Sequence, residues 1–130
     1  MTLVVDASLV VAALVDSGED GIWAEQVLAT DDLAAPYLMQ VEATNILRRG
    51  SLAGHISDET ASAAHDDLLD LRVALFAYEP FAPRIWQLRT NLTAYDAWYV
   101  AVAEQLDGPL ATLDRRLAHA PGPTCRFSTP

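Results

Sequence analysis

The chain opens on an apolar run, "LVVDASLVVAALV", broken only by Asp6 and Ser8. Three branched apolar residues before the aspartate predict a fully buried strand over residues 2–5. Ser8 is then placed to cap a helix reaching about residue 15. A second amphipathic stretch predicts a helix over residues 21–29. "DDLAAP" follows as a short strand ended by Pro36, and residues 37–49 read as a helix stopped by Gly50. Ser57 caps a further helix to about residue 71, and "RVALFAY" is a second strong strand. Pro83 fits the first turn of a short helix to about residue 89. Thr93 opens the helix "AYDAWYVAVAEQL", which ends near Gly108 and Pro109. "PLATL" is another buried strand, with a short helix from Asp114, and "TCRFS" is an edge strand. Apolar strands alternating with helices predict an α/β fold whose central, mainly parallel sheet is covered on both faces. Ligands of such folds gather at the carboxyl ends of the strands. Asp6 and Asp114 both fall there.

Length and composition narrow this picture. At 130 residues the chain is sized for one domain with a real core, and no linker divides it. The apolar opening is too short to span a bilayer and carries a charge, so no membrane association is expected. No basic region precedes it, which argues against a secretory leader. "NLT" at residues 91–93 is then a chance match to a glycosylation sequon. The lone Cys125 forms no internal disulfide and suits a reducing cytosol. The net charge is −10, and all eight basic residues are Arg. That Arg and Ala bias suggests a GC-rich genome. Such acidity is unlike a general nucleic-acid binder, which presents a basic surface, and favours cations or a basic partner protein.

Four acids do not behave like surface acids. Glu42 shares a helical stripe with Leu38 and Ile46, with Asn45 and Arg49 close to the same line. Asp96 is followed at helical spacing by Tyr99, Val100 and Ala103. Each has a local explanation too, except Glu42. Asp6 and Asp114 could accept helix-start N–H groups, and Asp96 could complete a capping box with Thr93. Other acids, such as Asp31 with Asp32 and Asp66 with Asp67, read as solvated. If the four converge, repulsion raises some of their pKa values unless cations neutralise them. Hard oxygen ligands without His or Cys suit Mg²⁺ or Mn²⁺ rather than zinc. His55, His65 and His119 show no ligand spacing. Ser8 reads either as a helix cap or as a partner of a metal-bound water. Tyr95, Trp98 and Tyr99 could stack on bases, but read first as core or interface packing. Arg48 and Arg49 suit a helix C-terminus, whereas Arg115 and Arg116 sit at a helix start, where the dipole disfavours them; all four are candidate RNA contacts.

Taken together, "LVVDAS", "VEATNILRR", "LTAYDAWYVAVAEQL" and "PLATLDRRLA", in this order and spacing, resemble the PIN-domain ribonucleases, in particular the VapC toxins of toxin–antitoxin pairs. The resemblance spans nearly the whole chain and implies a three-layer α/β/α sandwich. It places the family's acidic quartet on Asp6, Glu42, Asp96 and Asp114, which would serve as catalytic and metal-ligating residues. Thr112, Ser8 and Asn45 are the polar neighbours expected to support them. Some relatives carry a further acid where Leu117 stands here. The implied activity is endoribonucleolytic, with one or two Mg²⁺ or Mn²⁺ ions, a water as nucleophile, and 5′-phosphate and 3′-hydroxyl products. Transfer RNA or ribosomal RNA is the expected target, and translation and growth the processes stopped. A VapB-like antitoxin, a homodimer formed through the early helices, a higher toxin–antitoxin complex and a cytoplasmic location are also implied. A phosphoacceptor receiver is disfavoured because there is no Lys and no early acid pair. A haloacid-dehalogenase-type phosphatase would need an Asp where Ser8 stands. A degenerate fold acting as a protein scaffold is the remaining alternative, and the intact quartet argues against it.

Overall fold

The computed structural model describes residues 1–30 and 32–130. Five strands, β1 (Leu3–Val5), β2 (Leu33–Pro36), β3 (Val73–Phe76), β4 (Leu110–Ala111) and β5 (Phe127–Ser128), form one sheet in the order β3-β2-β1-β4-β5. Every pairing is parallel, with Val4 in register with both Ala34 and Leu110. Among the described residues seven α-helices connect them: α1 (Ala7–Val15), α2 (Glu19–Leu28), α3 (Leu38–Leu52), α4 (Asp58–Asp70), α5 (Ala82–Gln87), α6 (Ala94–Leu106) and α7 (Arg115–Ala118). Helices α1 to α4 pack together, while α6 lies against β1, β2 and β4 with α5 beside it. The predicted α/β/α layering is therefore the observed one. Val4, Val5, Ala34, Ala35, Leu110 and Ala111 are buried on the central strands, between Leu9 and Val10 of α1 and Val100 and Val102 of α6. β1 and β4 read as unbroken apolar runs because both their faces are covered.

Several boundaries differ from the sequence pattern, each for a local reason. Helix α1 is capped by Asp6 rather than Ser8, since Asp6 Oδ1 accepts the Leu9 N–H at 3.0 Å. Helix α2 begins at Glu19, two residues before the expected Gly21, with Glu19 and Asp20 favourably placed in its positive first turn. Helix α3 runs through Gly50, because packing outweighs the roughly 1 kcal/mol that an interior glycine costs. Its end comes instead at Gly54, whose φ of 77° is the left-handed conformation that favours glycine. Ser57 and Thr93 cap α4 and α6 as expected. β3 is an edge strand and only half-buried, shorter than "RVALFAY" suggested. Asp32, Asp66 and Asp67 are exposed; Asp31 lies outside the described residues.

The last strand is held in place by a polar latch. Glu104 on α6 receives Arg84 Nε at 2.7 Å and Arg84 Nη2 at 3.0 Å. It also receives the backbone N–H of Thr124 at 2.8 Å and the Thr124 hydroxyl at 2.9 Å. Burial pushes the Glu104 carboxyl upward, but these donors together hold it below its ordinary value. The segment entering β5 is thereby tied to α6, and β5 borders β4, which carries Thr112 and Asp114 at its carboxyl end.

Gly108 makes the tightest turn into the sheet, where a Cβ would stand 2.1 Å from the Thr2 carbonyl oxygen. Gly108→Ala must therefore push β1 and the α6–β4 connection apart. A loss of about 2 kcal/mol or more in urea denaturation is expected. An unchanged midpoint would show that the approach of these two backbones is not fixed.

An acidic cleft at the carboxyl edge of the sheet

Asp6 leaves the carboxyl end of β1 with extended backbone angles and turns the chain into α1. Only 7% of its surface is exposed. Three groups donate to its carboxylate: the Ser8 hydroxyl at 2.7 Å and the Leu9 N–H at 3.0 Å to Oδ1, and the Thr112 hydroxyl to Oδ2. Thr112 follows β4 and is fully buried. Its hydroxyl oxygen accepts the Asp114 N–H at 2.9 Å, so one side chain fixes both acids. Asp114 in turn caps α7, with Oδ1 accepting the N–H groups of Arg116 at 3.0 Å and Leu117 at 3.2 Å.

The other two acids arrive on helices. Thr93 accepts the Asp96 N–H at 3.2 Å, so the threonine makes the cap and the Asp96 carboxylate faces the cleft. Glu42 projects from α3 toward α6, where the Tyr99 hydroxyl donates to its Oε1 at 2.6 Å. Asp6, Glu42, Asp96 and Asp114 line a single cavity of about 220 Å³, together with Ser8, Asn45, Arg49 and Tyr99. The four acids expected from the sequence thus converge across 108 residues of chain.

Not every expected residue joins them. Arg49 lines the cavity, and Arg116 flanks it close enough to favour the Asp96 charge. Arg48 instead lines a wider, mainly apolar groove of about 560 Å³ with Leu38, Val41 and Tyr95. That groove shares Glu42 and Asn45 with the cavity but holds no second carboxylate. Arg115 turns away, donating to the Pro130 carbonyl at 3.0 Å. Tyr99 packs in the core, the first of the two readings its sequence offers, and its hydroxyl is in addition the partner of Glu42. An aromatic one turn after an apolar-stripe aspartate was the only available signal, and it is shared with ordinary core tyrosines.

Burial and mutual repulsion set the electrostatics. Burial raises the Asp6 carboxyl above its ordinary value, against the lowering effect of the Thr112, Leu9 and Ser8 donors, and the Asp114 charge pushes it further up. Burial also raises Glu42, opposed by the Tyr99 hydrogen bond and assisted by the charges of Asp96 and Asp6. Asp96 is raised by burial and then by Asp114 and Asp6, with Arg116 acting the other way. Among the described residues, no three His, Cys, Asp or Glu side chains stand close enough together to hold a metal ion unaided. The donors that line the cavity are carboxylates, without His or Cys. A hard cation that keeps several waters suits such a set, because water completes its shell. Zinc does not. The raised carboxyls would be relieved by positive charge in the cavity.

The sheet and cleft define an α/β protein with an acidic site at the carboxyl edge of its strands. The chain belongs to the PIN-domain family, which it matches over residues 3–123, and within it to the VapC ribonucleases. Ribonuclease VapC1 of Mycobacterium tuberculosis is 45% identical over 131 residues, covering 95% of this chain and 94% of that one. Among solved structures, VapBC2 from Rickettsia felis, bound to a DNA fragment from its promoter, superposes with a TM-score of 0.71 at 13% identity, over 99% of this chain and 98% of that one. Mycobacterium tuberculosis VapC20, a sarcin–ricin loop cleaving toxin, gives a TM-score of 0.64 at 16% identity, covering 83% and 86%. At those identities the structures share the fold. No helix among the described residues is long and apolar enough to cross a membrane.

Three raised carboxyls make a prediction about pH. The folded chain binds their protons more tightly than the unfolded chain does. Their stabilising contribution is complete below the unfolded value of about 4 and is lost as pH rises through the raised folded values. Glu104 has the opposite sign, its contribution being lost only on acidification below the ordinary carboxylate range. With chelator present, the melting midpoint is expected to rise as pH is lowered from neutral toward the ordinary carboxylate range. Asp6→Asn, which removes the most buried of these charges, is expected to flatten the rise. A midpoint that falls over this interval would contradict the assignment.

Proposed function

We propose that the chain is a metal-dependent endoribonuclease of the VapC toxin type, held in check by a cognate antitoxin. The observation that carries this reading is the convergence of Asp6, Glu42, Asp96 and Asp114 in one cavity whose donors fit a hydrated hard cation. Asp6, Asp96 and Asp114 would be the principal ligands of one or two Mg²⁺ or Mn²⁺ ions, with waters bridging the gaps that the side chains alone do not close. Glu42 adds a ligand, directly or through water, or orients the attacking water. When bound, the metal supplies an activated water and neutralises charge on the scissile phosphate.

The protein's own groups do the rest. The Thr112, Ser8 and Leu9 donors fix the Asp6 carboxylate: Ser8 and Leu9 take both lone pairs of Oδ1, and one on Oδ2 is left beside the Thr112 bond. Asn45 and Arg49 border the cavity, where Arg49 offers a fork of donors to phosphate oxygens, and Arg116 does so from the rim. Arg48 extends the contact along the neighbouring groove. Arg115 contacts RNA only if it releases the Pro130 carbonyl. Hydrolysis leaves a 5′-phosphate and a 3′-hydroxyl. The substrate is transfer RNA or ribosomal RNA, which places the action in the cytoplasm and stops translation and growth. The 45% identity to a VapC ribonuclease over nearly the full chain supports this reading, as does the parallel sheet it shares with toxins of VapBC pairs.

A VapB-like antitoxin with a basic segment fits the −10 net charge and the acidic cleft. A homodimer and a larger toxin–antitoxin assembly complete the proposal.

Purified protein is expected to cleave structured RNA only with Mg²⁺ or Mn²⁺ present. Asp6→Ala should lower the rate about 100-fold or more, since a lost ligand removes several kcal/mol of charge stabilisation. Mapping new 5′ ends in total RNA after induced expression would identify the target. Cleavage that ignores chelator, or that survives Asp6→Ala unchanged, would refute the nuclease assignment.

A further inference from the structure

Tyr99 is 2% exposed and sits one helical turn beyond Asp96 on α6. Its hydroxyl crosses to α3 and donates to Glu42 Oε1 at 2.6 Å, a bond between residues 57 apart in sequence. Ala7, next to Asp6 in the chain, lines the same cavity as Tyr99. One hydroxyl therefore stands where α1, α3 and α6 deliver three of the four acids.

Resting on the nuclease reading above, we infer that Tyr99 is a positioning residue: its hydroxyl holds Glu42 Oε1 and so leaves Oε2 as the oxygen offered to the cavity. The chemistry of a phenol suits that task. An arginine in its place would bind Glu42 as an ion pair and cancel the charge that a cation needs. A phenylalanine would leave the carboxylate half-buried beside a ring with nothing to orient it. A neutral donor fixes the carboxylate and leaves its charge intact.

The competing role is that Glu42 merely satisfies a buried tyrosine hydroxyl, as any acceptor would. Glu42 is a costly choice for that purpose. It is itself partly buried and faces the like charges of Asp96 and Asp6. Its placement is accounted for by the cavity it lines.

The test uses the full chain and reads metal binding separately from catalysis. Mn²⁺ is titrated calorimetrically without RNA, and kcat and KM for cleavage are measured alongside melting curves. Tyr99→Phe is expected to bind Mn²⁺ about 10-fold more weakly, the usual scale for losing a partner of a metal-binding side chain. The same variant should lower kcat with little change in KM for RNA. In a Glu42→Gln background Tyr99→Phe should cost nothing further, because its effect passes through Glu42. Wild-type Mn²⁺ affinity and kcat in Tyr99→Phe, or an equal loss in the Glu42→Gln background, would overturn the inference while the nuclease reading stands. A wild-type chain that neither binds Mn²⁺ nor cleaves RNA would remove both. Should Tyr99→Phe fail to fold, Glu42→Asp decides. Its shorter side chain cannot reach both the phenol and the cavity, so Mn²⁺ affinity must fall there too, and wild-type affinity would again overturn the inference.

Discussion

The Thr112 hydroxyl does two things with one oxygen: it donates to Asp6 Oδ2 and accepts the Asp114 N–H. It is fully buried between the ends of β1 and β4, which also share the bond from Asp6 N to the Ala111 carbonyl at 3.3 Å. An isolated carboxylate as buried as Asp6 would cost several kcal/mol, or would give up its charge by taking a proton. Three donors act against that penalty without removing it, and Asp6 remains raised. On the proposed reading, a cation in the cleft would complete this offset. A fully satisfied carboxylate has little reason to take a cation, and an unsatisfied one would not survive folding as an anion. Val in place of Thr112 would keep the shape and lose both bonds.

The same economy governs the other acids. In a parallel sheet every strand ends on the same edge and is followed by a helix start, where N–H groups lack partners. A carboxylate has two oxygens and about four lone pairs, so it can cap a helix and still face a ligand. Asp114 spends Oδ1 on two N–H groups of α7. Asp6 divides its oxygens between α1 and Thr112. Asp96 lies in the first turn of α6 but leaves the capping to Thr93. Glu42 has no helix start available, being in the body of α3, and a phenol supplies its donor instead. The capping roles and the site roles that compete on paper are the same interactions seen from opposite sides of one carboxylate.

This explains which parts of the chain were legible in its sequence. β1, β4 and α6 announce themselves, because strands covered on both faces and a buried helix must be apolar. Asp6, Asp96 and Asp114 follow or interrupt those runs, and Glu42 interrupts the apolar stripe of α3. The edge strand β3 was overdrawn, since an apolar segment half open to solvent reads like a buried one. Gly50 was mistaken for a helix stop because local propensity ignores the packing that carries α3 to Gly54. Ser8 and Asp6 both suit the cap of α1 from sequence alone, and the backbone angles give it to Asp6. Tyr99 and Glu104 were invisible as partners. Their bonds join residues 57 and 20 apart, and no spacing rule links them. Arg48 and Arg115 show the same limit, since helix-end position alone does not say which way a long side chain turns.

Charge distribution then decides how so acidic a chain can meet RNA on the proposed reading. A basic surface would attract phosphates anywhere, and nothing in the fold provides one: all eight cations are Arg and there is no Lys. Arg84 is already committed to Glu104, Arg115 to the Pro130 carbonyl, and Arg126 reaches the Asp107 carbonyl at 3.2 Å. Arg49 and Arg116 remain at the cavity, with Arg48 in the adjoining groove. Without a cation in the cleft, these few positive groups face four carboxylates, and a phosphate is repelled on balance. With the carboxylates neutralised, the same arginines become the dominant local field. Metal occupancy would then control substrate affinity as well as chemistry. A basic antitoxin segment, which needs the carboxylates bare, would compete with metal and RNA for one set of charges.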